Sequence, residues 1–292
     1  MRRGEASPIN VTFTASTSRA GGLILTGLDG EVVQRIEGQR LGDIDVASLP
    51  SANGYTVLVG AARQAGRSAG LVFYKRNFDR DTQLVYWGEV LTDQAQPRAF
   101  CMRQTDGMLN VVTVDQQGDA RVLRISEGPD GAIQNQEVLR FQVEGMGQGC
   151  AIDPLRGHAY FSLARGGFLR ASVIRPGALL RLTDTTWKRL PRSLGVSFLN
   201  VGADRYLTSL DEDRRAFSVW RVENETVNWL GRVEVRESAN SRAVRNRGGV
   251  DAYGGSYGTF AEGVVVVQDQ ANDDSPNLKY VKWADVRLAL GF

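Results

Sequence analysis

The sequence predicts an all-β fold, a six-bladed β-propeller of four-stranded antiparallel blades, on three observations. The first is a period. Apolar, β-rich stretches begin at Leu23, Leu71, Val122, Phe168, Phe217 and Val264, at successive gaps of 48, 51, 46, 49 and 47 residues. Propeller blades repeat every roughly 40 to 50 residues, and six such units fill the chain. The second is composition: 33 glycines against eight prolines, with 23% charged residues, suit many short strands joined by tight turns. The third is that helical periodicity is absent until Trp283, where Trp283, Val286, Leu288 and Leu290 fit a short terminal helix.

Taken in order, residues 1–16 form an N-terminal segment and residues 17–292 the propeller. Within the segment, Asn10 to Ala15 alternates polar and apolar residues and is expected to add a strand that closes the ring on the last blade. Asp29-Gly30, Asn53-Gly54, Asp106-Gly107 and Asp130-Gly131 carry the dipeptide signature of hairpin turns, and Gln117-Gly118 and Arg156-Gly157 supply similar bends. Arg236 to Arg247 is the longest polar segment and is expected to be a solvated loop. Val264 to Val267 is too short to cross a membrane and is expected to be a strand buried on both faces. After the polar turn Gln268 to Asp274, Asn277 to Trp283 alternates like a strand with one face in the core.

With 292 residues and 42% hydrophobic content, the chain can bury a substantial core. A net charge of +2 gives no case for nucleic acid. No apolar run approaches the roughly 18 residues of a membrane span. The start MRRGEASPIN has no apolar h-region, so no secretion signal is read there. One histidine, His158, cannot build a multi-histidine zinc site, and its place at a strand start favours a structural role. Gly145, Gly147 and Gly149 lack the final spacing and the helix of a dinucleotide-binding turn. Cys101 and Cys150 are too few for a disulfide framework. A single bridge is one reading, and two buried free thiols is the favoured one. Tyr74, Trp87, Trp187, Trp220, Trp229 and Trp283 follow the blade period, which favours core packing over a stacking platform.

Several stretches together resemble the β-propeller phytase family. They are Gly22 to Gly30, Leu41-Gly42-Asp43-Ile44-Asp45-Val46-Ala47, Gly149 with Tyr160 and Phe161, Tyr206 to Trp220, and Gly249-Val250-Asp251 through Asn272. The resemblance covers most of the chain after Thr17. It implies the propeller fold and calcium-dependent hydrolysis of inositol phosphates, of the 3-phytase type. It also implies export, to an extracellular or periplasmic location. The calcium ligands it implies are Asp45, Asp251, Asp269 and Asn272, enough for one or two sites at most. Asp211, Glu212 and Asp213 add an acidic turn. Elsewhere the chain departs from the family. Gln148 stands for a glutamate, Leu163 and Ala164 for a pair of acids, Arg192 and Leu194 for an Asp and a Glu, Gln116 for a phosphate-binding lysine and Ala47 for an arginine.

Arginines enter as acids leave. Arg165, Arg192 and Arg214 replace acidic or neutral positions, Arg19 replaces a lysine, and Arg63 and Arg67 lie on a loop of the same type. Arginine grips phosphate through a planar fork without metal. The expectation is a monomeric phytase-like domain with weak or no catalysis, binding phosphorylated ligands such as inositol phosphates or assisting a neighbouring phytase domain. The alternatives are an active calcium-dependent phytase acting on inositol hexakisphosphate and a protein-interaction propeller.

Overall fold

A strand such as LILTG at Leu23–Gly27 alternates buried and half-buried side chains, as a pleated segment with one face in a core must. The computed structural model describes residues 13–18, 21–51, 54–63, 70–77, 81–105, 107–164, 166–182, 195–211, 216–237, 243–244, 247–269 and 277–292. They form six antiparallel sheets of consecutive strands, so each sheet is one sequence repeat.

The chain divides into two compact units, and the first holds three sheets. One is β1 (Phe13–Thr17), β2 (Leu23–Gly27) and β3 (Val32–Ile36). The next is β4 (Leu41–Ser51), β5 (Gly54–Arg63), β6 (Gly70–Asn77) and β7 (Val85–Leu91). The third is β8 (Pro97–Thr105), β9 (Met108–Asp115), β10 (Asp119–Glu127) and β11 (Ile133–Gln142). The near-continuous apolar run of β5 follows from its place in a middle sheet buried on both faces. Val59 and Ala61 join Leu23, Leu25 and Leu41 in one core, while Leu58 and Ala62 join Phe100, Met102 and Val111 in another. Gly60 is obligatory there: a Cβ would lie 2.7 Å from the Phe100 ring.

The second unit repeats the plan. It contains β12 (Met146–Asp153), β13 (His158–Leu163), β14 (Phe168–Ser172) and β15 (Leu180–Leu182). Next come β16 (Ser197–Val201), β17 (Asp204–Leu210), β18 (Ala216–Glu223) and β19 (Thr226–Glu234), and last β20 (Arg247–Tyr253), β21 (Val264–Asp269) and β22 (Asn277–Lys282). Leu207 packs with Tyr160, Phe198 and Trp220 on one side, whereas Tyr206 and Leu210 pack with Val265 and Trp283 on the other. Tyr160 stacks on Phe198 at 5.4 Å and Phe168 meets Trp220 edge-on at 5.0 Å. The terminal helix α1 (Trp283–Leu290) forms where the sequence pattern placed it. It buries Trp283 and Val286, and Gly291 ends it with φ of 76°. Trp283 lies 4.9 Å from Tyr206, and Phe292 stacks on Tyr206 at 5.5 Å.

The fold is a six-bladed β-propeller, and four of the blades have the expected four strands. The first and sixth have three among the described residues. Of the stretch Asn10 to Ala15 expected to close the ring, Asn10 to Thr12 lie outside the described residues, and Phe13 to Ala15 pair with Leu25 to Gly27 in the first blade. The turns Asp29-Gly30 and Asp130-Gly131 form as expected, with glycine φ of 87° and 79°. The expectation of free thiols is overturned: neither cysteine is free, and both are disulfide-bonded. Tyr74, Trp220 and Trp283 are buried, Trp87 and Trp229 pack against the cores, and Trp187 lies outside the described residues.

Candidate functional site

In a four-stranded antiparallel blade, the first strand starts at the end where the second turns into the third and the fourth leaves for the next blade. Among the described site residues, Arg63 and Asp269 fall at this leading end. Arg63 ends β5, Asp269 ends β21, and Asp45 and Asp251 are each the fifth residue of their strands, β4 and β20. Arg19, Arg67, Arg165, Arg192, Arg214 and Asn272 lie outside the described residues.

The first strand of a blade is a sheet edge, so alternate N–H groups have no ladder partner within their own sheet. The two aspartates of Leu41-Gly42-Asp43-Ile44-Asp45 answer this need for β8. Asp45 Oδ2 accepts the Met102 N–H at 2.8 Å, and its Oδ1 accepts the Val46 N–H at 2.7 Å and Arg103 Nη1 at 3.2 Å. Arg103 also donates to the Val46 carbonyl. Two residues earlier, Asp43 accepts from the backbone of Phe100. Phe100 and Met102 are themselves two apart, so the carboxylates of one strand match the pitch of the next. Water reaches the Asp43 side chain, but protein crowds around it. This desolvation raises its carboxyl from 3.8 to about 6, against the opposing pull of the Phe100 amide.

The sixth blade repeats the device toward the fifth. Asp251 Oδ1 accepts the Ser197 hydroxyl at 2.7 Å and the Ala252 N–H at 2.8 Å, and Ala252 N–H also reaches Ser197 Oγ at 2.9 Å. Asp45, Cys101, Cys150, Ser197 and Asp251 occupy comparable places in β4, β8, β12, β16 and β20. In four of these strands the residue follows a register shift that opens the strand. Each is a small polar or sulfur-bearing side chain in an apolar strand, a signal that was present in the sequence once strand positions were known.

The end of the second strand is another repeated position. Buried Asp115 accepts N–H bonds from Gln117 at 2.8 Å, Asp119 at 3.0 Å and Ala95 at 3.2 Å, which clamps the β9–β10 turn to the β7–β8 connection. Buried Asp211 ion-pairs with Arg232 at 2.7 Å. Asp269, fully buried, ends β21 at the comparable position. Asp269 and Asp251 are not brought together for one cation. Asp251 pairs with Val266, and Asp269 is three residues beyond Val266 on β21, so the two carboxylates face opposite sides of the sheet. Arg63 is engaged as well, with Glu89 at 2.6 Å and Gln39 at 3.5 Å. Among the described residues, no three His, Cys, Asp or Glu side chains converge as a metal group.

No family model and no curated protein match the chain. Solved structures do. The Aleuria aurantia lectin, a six-bladed β-propeller that recognises fucose, aligns with a TM-score of 0.56 at 10% identity, covering 78% of this chain and 75% of the lectin. A protein of unknown function from Desulfotomaculum acetoxidans aligns with a TM-score of 0.54 at 15% identity, over 93% and 79% of the two chains. A Bacteroides fragilis protein, provisionally named a 6-phosphogluconolactonase, gives 0.52 at 14% identity, over 95% and 84%. At these identities the likeness shows the fold alone.

Proposed function

We propose that this propeller is a phytase-like binding domain with weak or no catalysis, whose ligands are phosphorylated small molecules of the inositol phosphate class. The observation that carries the reading is the use of Asp45 and Asp251. Asp45 accepts through both carboxylate oxygens and Asp251 through Oδ1, in each case from a donor of a neighbouring blade as well as from its own strand. A calcium ion needs six to eight oxygens, mostly from carboxylates free to turn toward it. Arg19, Arg67, Arg165, Arg192 and Arg214 are the cations this reading assigns to the anion, whereas Arg63 is paired with Glu89. The disulfide-bonded state of both cysteines supports an exported setting, extracellular or periplasmic. There the domain would bind its ligand alone or assist a neighbouring phytase domain.

The test is calorimetry with inositol hexakisphosphate at low salt, in calcium and in chelator, beside an assay of phosphate release. Binding heat without calcium, lost when Arg165 and Arg214 become serine, supports the reading. Calcium-dependent phosphate release instead makes the chain an active phytase. No heat under either condition leaves a protein-interaction propeller.

A further inference from the structure

The connection from β20 to β21, Gly254 to Gly263, carries a group of aromatic rings outside the core of its unit. Tyr253 meets Tyr257 edge-on with ring centroids 6.2 Å apart, and Phe260 stacks on Tyr280 at 6.0 Å with planes inclined by 21°. The core beneath uses other rings, Tyr206, Phe217 and Trp283.

The backbone holds this loop in one shape. Tyr257 and Phe260 exchange both N–H bonds, at 3.0 and 2.9 Å, around a tight turn at Gly258. Gly254 lies against the Asn200 carbonyl of the fifth blade, where a Cβ would come within 1.7 Å. Gly255 lies under the Tyr253 ring, with the hydroxyl 2.7 Å from where a Cβ would be. Tyr253 is therefore seated on backbone, and it is 52% exposed. Such a ring is a prepaid surface: its conformational entropy is already lost before any ligand arrives.

The surroundings choose among ligands. Ser256 and Thr259 are exposed hydroxyls in the same loop. Glu262 and Arg287 form an exposed ion pair at 3.6 Å beside Gly263. A lipid bilayer would have to desolvate that pair. A pyranose ring, by contrast, offers an apolar face of C–H groups to an aromatic ring and hydroxyls around its rim to such donors and acceptors.

We propose that the β20–β21 loop of the sixth blade is a carbohydrate-binding platform, on which Tyr253 stacks against the apolar face of a pyranose. This site lies at the opposite end of its sheet from the β21–β22 turn and uses no residue of the phosphate reading, so either can fail alone. The test is retention of the protein on an array of neutral oligosaccharides at high salt, followed by titration of the best-retained sugar. Retention that falls about tenfold or more in Tyr253→Ala, and is kept in Tyr253→Trp, supports the platform. If Tyr253→Ala lowers the melting temperature, Tyr253→Trp and Thr259→Arg decide instead: stacking is kept by the first and blocked by the second. Retention of no neutral sugar, retention indifferent to these changes, or binding to phosphatidylcholine vesicles in its place overturns the proposal.

Discussion

Asp45 shows, at the scale of one side chain, how a residue type leaves two roles open. A carboxylate at a strand start, near other acids, suits a calcium ligand as well as it suits a backbone acceptor, and sequence does not separate the two. The structure adds one partner, the Met102 N–H on the edge of the next blade. Asp269 ends β21 as a buried residue, a place comparable with those of Asp115 and Asp211. Asp43 makes a prediction of its own. A carboxyl raised from 3.8 to about 6 stabilises the fold while protonated, and that contribution is lost as pH rises through about 6. The melting temperature of the wild type should fall between about pH 4 and 6 relative to that of Asp43→Asn, which keeps an acceptor for Phe100 and cannot ionise. Parallel melting curves across this range would remove Asp43 from the account.

At the scale of elements, the blades were legible because each must bury two faces. That demand writes the runs GYTVLVGAAR and VVVVQD, with glycine where a neighbouring ring needs space. The terminal helix was legible as well, through Trp283 and Val286, although Leu288 of the same pattern is 83% exposed. Strand pairing near the N-terminus was not legible. Phe13 to Ala15 alternates equally well for either edge, and only the register with Leu25 to Gly27 decides. Close approaches between blades make a sharp test. Gly254→Ala forces a methyl group into the Asn200 carbonyl and should destabilise the protein by about 1–3 kcal/mol in urea unfolding, a cost typical of overpacking. An unchanged midpoint would mean that the fifth and sixth blades do not meet as described.

For the whole molecule, the period near 48 residues identified the architecture, because a repeat that cannot bury its own faces must stack. The period could not reveal how neighbouring blades within a unit are fastened, since the fasteners differ chemically: carboxylate to amide in the first unit and hydroxyl to carboxylate in the second. Two cysteines in a chain of 292 residues gave no framework to read. Replacing Cys101 and Cys150 together by serine should lower stability by about 2–5 kcal/mol, measured by urea unfolding without reductant. Reductant should produce a similar loss in the wild type and none in the double variant.

We propose that Asp45 and Asp251 serve to fasten blades in place of holding calcium. Thermal and urea unfolding of the wild type, Asp45→Ala and Asp251→Ala, each in millimolar calcium and in chelator, tests it most directly. Each variant should lose about 2 kcal/mol, the cost of leaving charge-assisted hydrogen bonds unmade, by the same amount in both buffers. A wild type that gains stability in calcium, with the gain abolished in the two variants, would contradict it.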